Sequence, residues 1–358
     1  MDMKRNYYED IQLLDSKVLW FWFMMLIAFL IVFPFLIPKL TGSSYYIYMA
    51  NYMAIHVIVT LGLNILVGYT GQISLGHAGF FALGSYFTVL FMTHLNFPFL
   101  LALVLAAFIA AFFGFILGLP ALRLEGPYLA IATLGFGMAI TQVIGRWQIF
   151  GGRMGLEPPP LDLFKPFGSY ILETDAQKYF LIVSIAFLMV MAARNLMKTK
   201  VGRAFIAIRD SDIAAETMGV NLVYYKTLAF AVSAFYAGVA GGLFAFLLGF
   251  INPSTFNFIL SIYFLAFVIV GGLGSIFGSI MGGIVMTWLM LTLDKIQELP
   301  HIGTALVSFS KGWMSLTGLP NVASIVFGLI IVLIVVFEPL GLYGFWIRTK
   351  IYWKTWPF

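Results

Sequence analysis

Long apolar stretches separated by short polar or glycine-rich connections recur along the whole chain, at residues 18–38, 45–67, 75–93, 97–119, 127–145, 178–194, 226–249, 258–270, 278–293 and 320–337. Several approach the roughly 20 apolar residues that a helix needs to cross a bilayer. The pattern predicts an all-α fold: a polytopic integral membrane helical bundle of about ten spans, with glycine-broken segments. The eighth and ninth stretches also read as one broken hairpin. An even number of crossings puts both termini on one side.

Polar positions inside the stretches follow helical spacing. Tyr52, His56, Thr60 and Asn64 recur every four residues, which makes one ridge on a helix. Polar side chains at membrane depth face the bundle interior or a wet cavity. Interhelical hydrogen bonding accounts for each of them as well as substrate contact does; together they mark an inward-facing polar helix. Thr133, Gly137, Thr141 and Gly145 keep the same step, as do Ser233, Ala237, Gly241, Ala245 and Gly249. Small residues so placed let helix backbones approach closely, so both stripes read as packing surfaces, including contact with a second membrane subunit. Gln142 and Arg146, near the outer end, have the alternative of reaching the pathway.

Residues 68–86 break this regularity. They place five glycines with Gln72, Ser74 and His77 between two spans. Irregular backbone survives in lipid only where protein buries it or water wets it, so the polar members point to the lining of a pathway. A tight turn with close packing fits the glycines but accounts less well for Gln72, Ser74 and His77. His56, Thr60, Asn64, Gln72, Ser74 and His77 are the candidate pathway residues. A second cluster, Gly271-Gly272-Leu273-Gly274-Ser275-Ile276-Phe277-Gly278, then Gly282-Gly283, occurs in the other half. Paired interruptions of this kind hint at two related halves.

Charge adds orientation. Only 10% of residues are charged and 61% are hydrophobic, against about 25% charged in soluble domains. The net charge of +5 is a matter of topology and not of nucleic-acid binding. Thirteen of the 20 basic residues, among them Lys4, Arg5, Arg123, Arg194, Lys198, Lys200, Arg203, Arg209, Lys226 and Arg348, fall on one side of a ten-span arrangement. The positive-inside rule makes that side, and both termini, cytoplasmic. Trp20, Trp22, Trp346, Trp353 and Trp356 suit an interfacial belt. The chain then divides into a cytoplasmic segment 1–17, a transmembrane domain 18–338 and a cytoplasmic tail 339–358. Loops 146–177 and 294–319 are external, and loop 195–225 is cytoplasmic. The first span leads into others without a small-residue cleavage site and reads as retained. The setting is the cell inner (plasma) membrane.

Candidate chemistry is sparse. The chain has no cysteine, which rules out disulfides, thiolate metal sites and cysteine nucleophiles. No phosphate-binding Gly-x-x-x-x-Gly-Lys-Ser/Thr loop, His-Glu-x-x-His or Gly-x-Ser-x-Gly motif is present. Nothing argues for an enzyme, a metal site or a bound cofactor. Span interiors hold essentially no Asp, Glu, Lys or Arg, which lowers the case for ion coupling without excluding it. Uphill movement would then draw on a cytoplasmic partner, and residues 202–219 are the natural contact. Asp210 or Ser211 can cap a short helix there and Gly219 can end it. An interfacial helix held on anionic lipid by Arg203 and Arg209 is the rival; Asp210, Asp212 and Glu216 cancel much of its basic charge.

Three segments together carry a resemblance: 61–86, with Gly68-Tyr69-Thr70-Gly71-Gln72-Ile73-Ser74-Leu75-Gly76-His77-Ala78-Gly79-Phe80; 122–137, with Leu122-Arg123-Leu124-Glu125-Gly126-Pro127-Tyr128; and 202–242. With the glycine run from Gly271, they resemble branched-chain amino acid ABC transporter permeases, most closely the M-type of the two Liv paralogues. The resemblance spans roughly residues 51–283. It implies one membrane subunit of an importer that also contains a second permease, two ATP-binding-cassette subunits that use ATP, and a periplasmic or extracellular substrate-binding protein. Ala214-Ala215-Glu216-Thr217-Met218-Gly219 is similar to the family's coupling segment, although it departs from the Glu-Ala-Ala order. Gly202, Arg203, Arg209, Asp210, Asp212, Ala214, Ala215, Glu216 and Gly219 become the candidate ATPase-coupling set. The cargo implied is a branched-chain amino acid. Urea, short amides or other amino acids carried by the same machine remain open, as does a stand-alone ion-coupled carrier or channel.

Overall fold

The computed structural model describes residues 17–124, 126–163, 171–172, 174–297, 322–338 and 340–355. Most of the N-terminal segment 1–17 and of the expected external loop 294–319 lies outside them. In chain order the helices are α1 (Lys17–Thr41), α2 (Tyr45–Asn64, continued by a π-helical turn over Ile65–Tyr69), α3 (His77–His94), α4 (Phe99–Ala121), α5 (Pro127–Arg146), α6 (Asp175–Lys198), α7 (Lys200–Asp210), α8 (Asp212–Thr217), α9 (Leu222–Leu248), α10 (Phe258–Gly271), α11 (Ile276–Gln297), α12 (Val322–Phe337) and α13 (Gly341–Thr355).

Caps mark several starts. Thr174 and Gln177 form a reciprocal capping box at α6, Asn221 accepts from the Tyr224 N–H at α9, and Asn257 accepts from the Leu260 N–H at α10. These satisfy amides that the first turn leaves unpaired.

The 27-residue α9 is the hub, packed against α4, α3 and α2. Its glycines explain how. A Cβ on Gly238 would lie 2.8–2.9 Å from Ala110 and Ala107 of α4, and one on Gly241 would strike the Phe81 carbonyl of α3. Between lipid-embedded helices there is little hydrophobic drive, so such close packing carries the association. The stripe of Ser233, Ala237, Gly241 and Ala245 is therefore buried within this subunit. It does not form the surface for a second one. Phe81, Phe244 and Phe264 fill the adjoining space, with ring centroids 5.0 and 5.3 Å from Phe81.

Seven helices among the described residues are long and apolar enough to cross a membrane: α1, α2 with its π turn, α4, α5, α6, α9 and α11. The expectation of about ten spans is corrected to seven. The other three expected spans correspond to α3, α10 and α12. Histidines, Ser85, threonines and glycines dilute the apolarity of α3. The 14 residues of α10 reach about 21 Å at 1.5 Å per residue, short of a hydrocarbon core of about 30 Å. The 16 residues of α12 reach about 24 Å. α10 and α11 do form a folded hairpin: a Cβ on Gly271 would strike Gly278, and one on Gly282 would strike the Phe267 carbonyl. α13 packs on the bend of that hairpin, with Tyr343 Cβ 2.9 Å from a Cβ placed on Gly272.

Candidate functional site

The break after α2 is tied to neighbouring helices, with Gly71 and Ile73 left exposed. Beyond the π turn the chain runs irregularly to His77. There the Leu75 N–H donates to Thr133 Oγ1 of α5 (2.9 Å), the Ala78 N–H to Ser261 Oγ of α10 (2.9 Å), and the Gln72 N–H back to the Leu66 carbonyl (3.1 Å). Non-helical backbone inside a bilayer requires partners of this kind. Ser74 Oγ lies 3.0 Å from His77 Nδ1, and His77 Nε2 lies 2.6 Å from Ser233 Oγ of α9, so the imidazole bridges the loop to the hub helix. Gly76 and Gly79 exist because α5 is so close: added Cβ atoms would strike the Thr133 carbonyl and come 2.8 Å from Gly137 Cα.

The α2 ridge turns inward, toward α10 and α11. His56 Nδ1 sits 2.8 Å from Thr287 Oγ1, and its ring is flanked by Tyr52, Phe264 and Phe267 at centroid distances of 4.5–5.8 Å. Thr60 donates to the His56 carbonyl of its own helix (2.6 Å). Asn64 donates to the Ser275 carbonyl (2.9 Å) and to Ser279 Oγ (2.6 Å), and accepts from the Gly274 N–H (2.9 Å). Asn64 thereby ties one glycine break to the other. All three residues are buried; His56 and Asn64 bond to other elements, whereas Thr60 bonds within its own helix.

Residues 199–221 form two helices where one was expected, broken at Ser211. Ser211, not Asp210, caps the second by accepting from the Ala214 N–H (3.2 Å). Gly219 follows it at φ +84°, a left-handed conformation that favours glycine. Gly202 is buried against the Met197 backbone, Ala215 is buried, and Arg203, Ala214 and Glu216 are exposed. Asp212 forms an ion pair with Lys226 at the start of α9. Arg209 points the other way: its Nη1 donates to the Gly68 carbonyl (3.1 Å), and it pairs with Asp210 (3.2 Å).

The coupling and pathway sets therefore meet. Thr70, Gln72, Arg209, Ser211, Asp212 and Lys226 line one cleft of about 400 Å³. Gly126 and Leu129, at the start of α5, belong to the same cleft. A second cleft, of about 540 Å³, opens at the other end of α5, where Gln142, Arg146, Arg153, Asn252 and Asn257 line it. Of the six candidate pathway residues Gln72 alone lines one of these two clefts; His56, Thr60, Asn64, Ser74 and His77 line neither.

Sequence reasoning missed the partners. Thr133, Ser233 and Ser261 hold the loop, and Ser275, Ser279 and Thr287 hold the ridge. Thr133 and Ser233 stood in the small-residue stripes, where a hydroxyl among glycines and alanines was the available signal. The Asp212–Lys226 pair leaves no spacing signal. Among the described residues, no group of three or more His, Asp or Glu is placed to hold a metal.

Residues 45–335 match the model of the "branched-chain amino acid transport system / permease component" family. The chain belongs to this family. A transport family accords with the lack of any catalytic motif, and a bundle with several helical spans fits the inner membrane. The permease is 34% identical over 284 residues to the "high-affinity branched-chain amino acid transport system permease protein LivM" of Salmonella typhimurium, covering 74% of this chain and 66% of that one. It is also 34% identical to the protein of that name in Escherichia coli K12, covering 73% of this chain and 65% of that one. It is 27% identical over 205 residues to the "autoinducer 2 import system permease protein LsrC" of Escherichia coli, covering 56% of each. The aligned part thus spans about two thirds of the LivM relatives it matches. No solved structure matches the chain.

Proposed function

We propose that the chain is one membrane subunit of an ATP-driven, binding-protein-dependent importer for branched-chain or related hydrophobic amino acids, working by alternating access. Its partners are a second permease, two ATP-binding-cassette subunits and an external binding protein. The observation that carries the reading is the contact of residues 199–221 with the glycine break, through Arg209 and Gly68. A segment that engages an ATPase must touch the part of the bundle that changes.

The two clefts support the same reading. They lie at opposite ends of α5, and the middle of that helix is packed glycine to glycine against the loop and α3. Such an arrangement opens to one side when the packing loosens at that side. With basic loops inside, the Arg209 cleft is cytoplasmic and the Arg146 cleft external. Candidate pathway side chains are uncharged, which suits an apolar zwitterion already selected by a binding protein.

The test is radiolabelled leucine uptake into proteoliposomes holding the chain with its co-encoded partners, with ATP on the cassette side. Uptake that needs both ATP and the binding protein is the expected result. Leucine uptake without ATP would replace this reading with a carrier or channel. The likeness to LsrC permeases, named for autoinducer 2 import, favours a second reading, the same machine with another cargo. ATPase stimulation by the loaded binding protein without leucine movement would select it.

A further inference from the structure

Arg209 lies in the last turn of α7, on the segment expected to meet the ATPase, yet its side chain reaches its own bundle. Nη1 donates to the Gly68 carbonyl at 3.1 Å. A Cβ placed on Gly274 would come within 2.7 Å of the same Nη1, and one placed on Gly71 would lie 3.5 Å from Arg209 Cγ. One guanidinium therefore touches both glycine breaks, at the point where Asn64 already joins them. Gly68 has no side chain because Asn64 Oδ1 and the Gly274 amide occupy that space.

The other contacts of Arg209 are weaker anchors. Nε and Nη2 share one oxygen of Asp210 at 3.3 and 3.2 Å, and both side chains are substantially exposed. Exposed pairs of this kind contribute little, whereas a charged donor on a carbonyl makes one of the stronger hydrogen bonds. At the far side of the cleft Asp212 is paired with Lys226 on α9. The segment is thus braced at two points: on the hub helix by Asp212, and on the glycine breaks by Arg209.

We propose that Arg209 is a positioning residue that carries movement of the coupling segment into the two glycine breaks, and that it makes no part of the ATPase dock. The exposed dock is left to Ile213, Ala214, Glu216, Thr217 and Met218, whose side chains face away from the bundle. The proposal rests on the importer reading above and assigns one residue of the coupling set a different task.

The experiment uses the reconstituted complex of both permeases, the ATPase subunits and the binding protein. It compares the unmodified chain with Arg209→Ala and Arg209→Lys. Three quantities are read: ATPase subunits retained on purification, binding-protein-stimulated ATP hydrolysis, and leucine taken up per ATP hydrolysed. Arg209→Ala is expected to keep assembly and hydrolysis within about twofold while uptake per ATP falls at least tenfold. Arg209→Lys, which keeps a charged donor, is expected to recover part of that ratio. Loss of ATPase subunits, or uptake and hydrolysis falling together in both Arg209 variants, would return Arg209 to the dock and overturn the proposal. So would an unchanged ratio in Arg209→Ala. The unmodified complex separates the two ideas, because absence of ATP-dependent uptake there rejects the importer reading itself.

Discussion

The carboxamide of Asn64 accepts a hydrogen bond from the Gly274 amide at 2.9 Å and donates two more to Ser275 and Ser279. Two glycine breaks more than 200 residues apart in sequence are thereby one structural unit. Asn64→Ala would leave the half-buried Gly274 amide without its partner, while the Ser275 carbonyl keeps the Ser279 N–H and hydroxyl. The lost bond costs about 1–3 kcal/mol, so the detergent-solubilised protein should melt at a lower temperature. A melting curve superimposable on that of the unmodified chain would show that the bonds are replaced by water.

Gly84 and Gly238 bring α3 and α9 into backbone contact, and a Cβ on Gly84 would strike the Gly238 carbonyl and Cα. A clash with backbone cannot be relieved by a rotamer change, so overpacking of about 1–3 kcal/mol is the least expected for Gly84→Ala and more for Gly84→Val. Size-exclusion profiles should show loss of the monodisperse peak in that order. Gly135→Ala is the control, since nothing lies within 4 Å of its added Cβ.

Helix positions were legible because apolar runs and four-residue steps are properties of one segment at a time. What the sequence left open was which runs cross the membrane. α3 sits inside a sheath of neighbours, so protein and not lipid surrounds its polar positions, whereas the short α10 leaves Phe258, Ile259 and Ile262 exposed. The polar site was half legible. Ser74 and His77 are three residues apart and meet locally, but their bond to Ser233 joins residues 156 positions apart. Arg209 reads as one more exposed charge until Gly68 and Gly274 are seen beside it. His56 and Asn64 looked alike on the ridge. Only the fold assigns the first to α11 and the second to the bend of the α10–α11 hairpin.

Asp212 and Lys226 connect α8 to the start of α9, with the lysine well shielded and the aspartate about one third exposed. Asp212→Asn should cost about 1 kcal/mol or less, and the difference from the unmodified chain should shrink as salt is raised. Thermal melts at low and high ionic strength check this. A salt-independent difference would mean that packing, and not charge, holds α8 in place.

His77 bridges Ser74 and Ser233 with both ring nitrogens inside a fully buried site. His77→Leu fills much of the same volume but leaves two hydroxyls without their partner, a penalty of about 1–3 kcal/mol for each buried group. His77→Asn keeps a donor and an acceptor on a shorter arm and should lose less. If the imidazole only holds the loop, uptake should track folded protein in both variants. Uptake per folded molecule falling further than stability, in His77→Asn above all, would move His77 from scaffold to pathway.

Glu216 and Gly219 lie on the exposed side of the coupling segment, where the surroundings are open. Glu216→Lys therefore removes no internal contact, and its folding cost should be within about 0.5 kcal/mol. Gly219 holds φ +84°, so Gly219→Val carries a backbone cost of about 1–2 kcal/mol in addition to a new surface. Both variants should insert and purify like the unmodified chain. Both should still leave the Arg209–Gly68 contact intact, and both should lower binding-protein-stimulated ATP hydrolysis and uptake together by weakening the ATPase dock. That joint loss is the opposite of the pattern expected for Arg209→Ala. Full ATP-driven uptake in Glu216→Lys would show that the dock lies elsewhere on the cytoplasmic face.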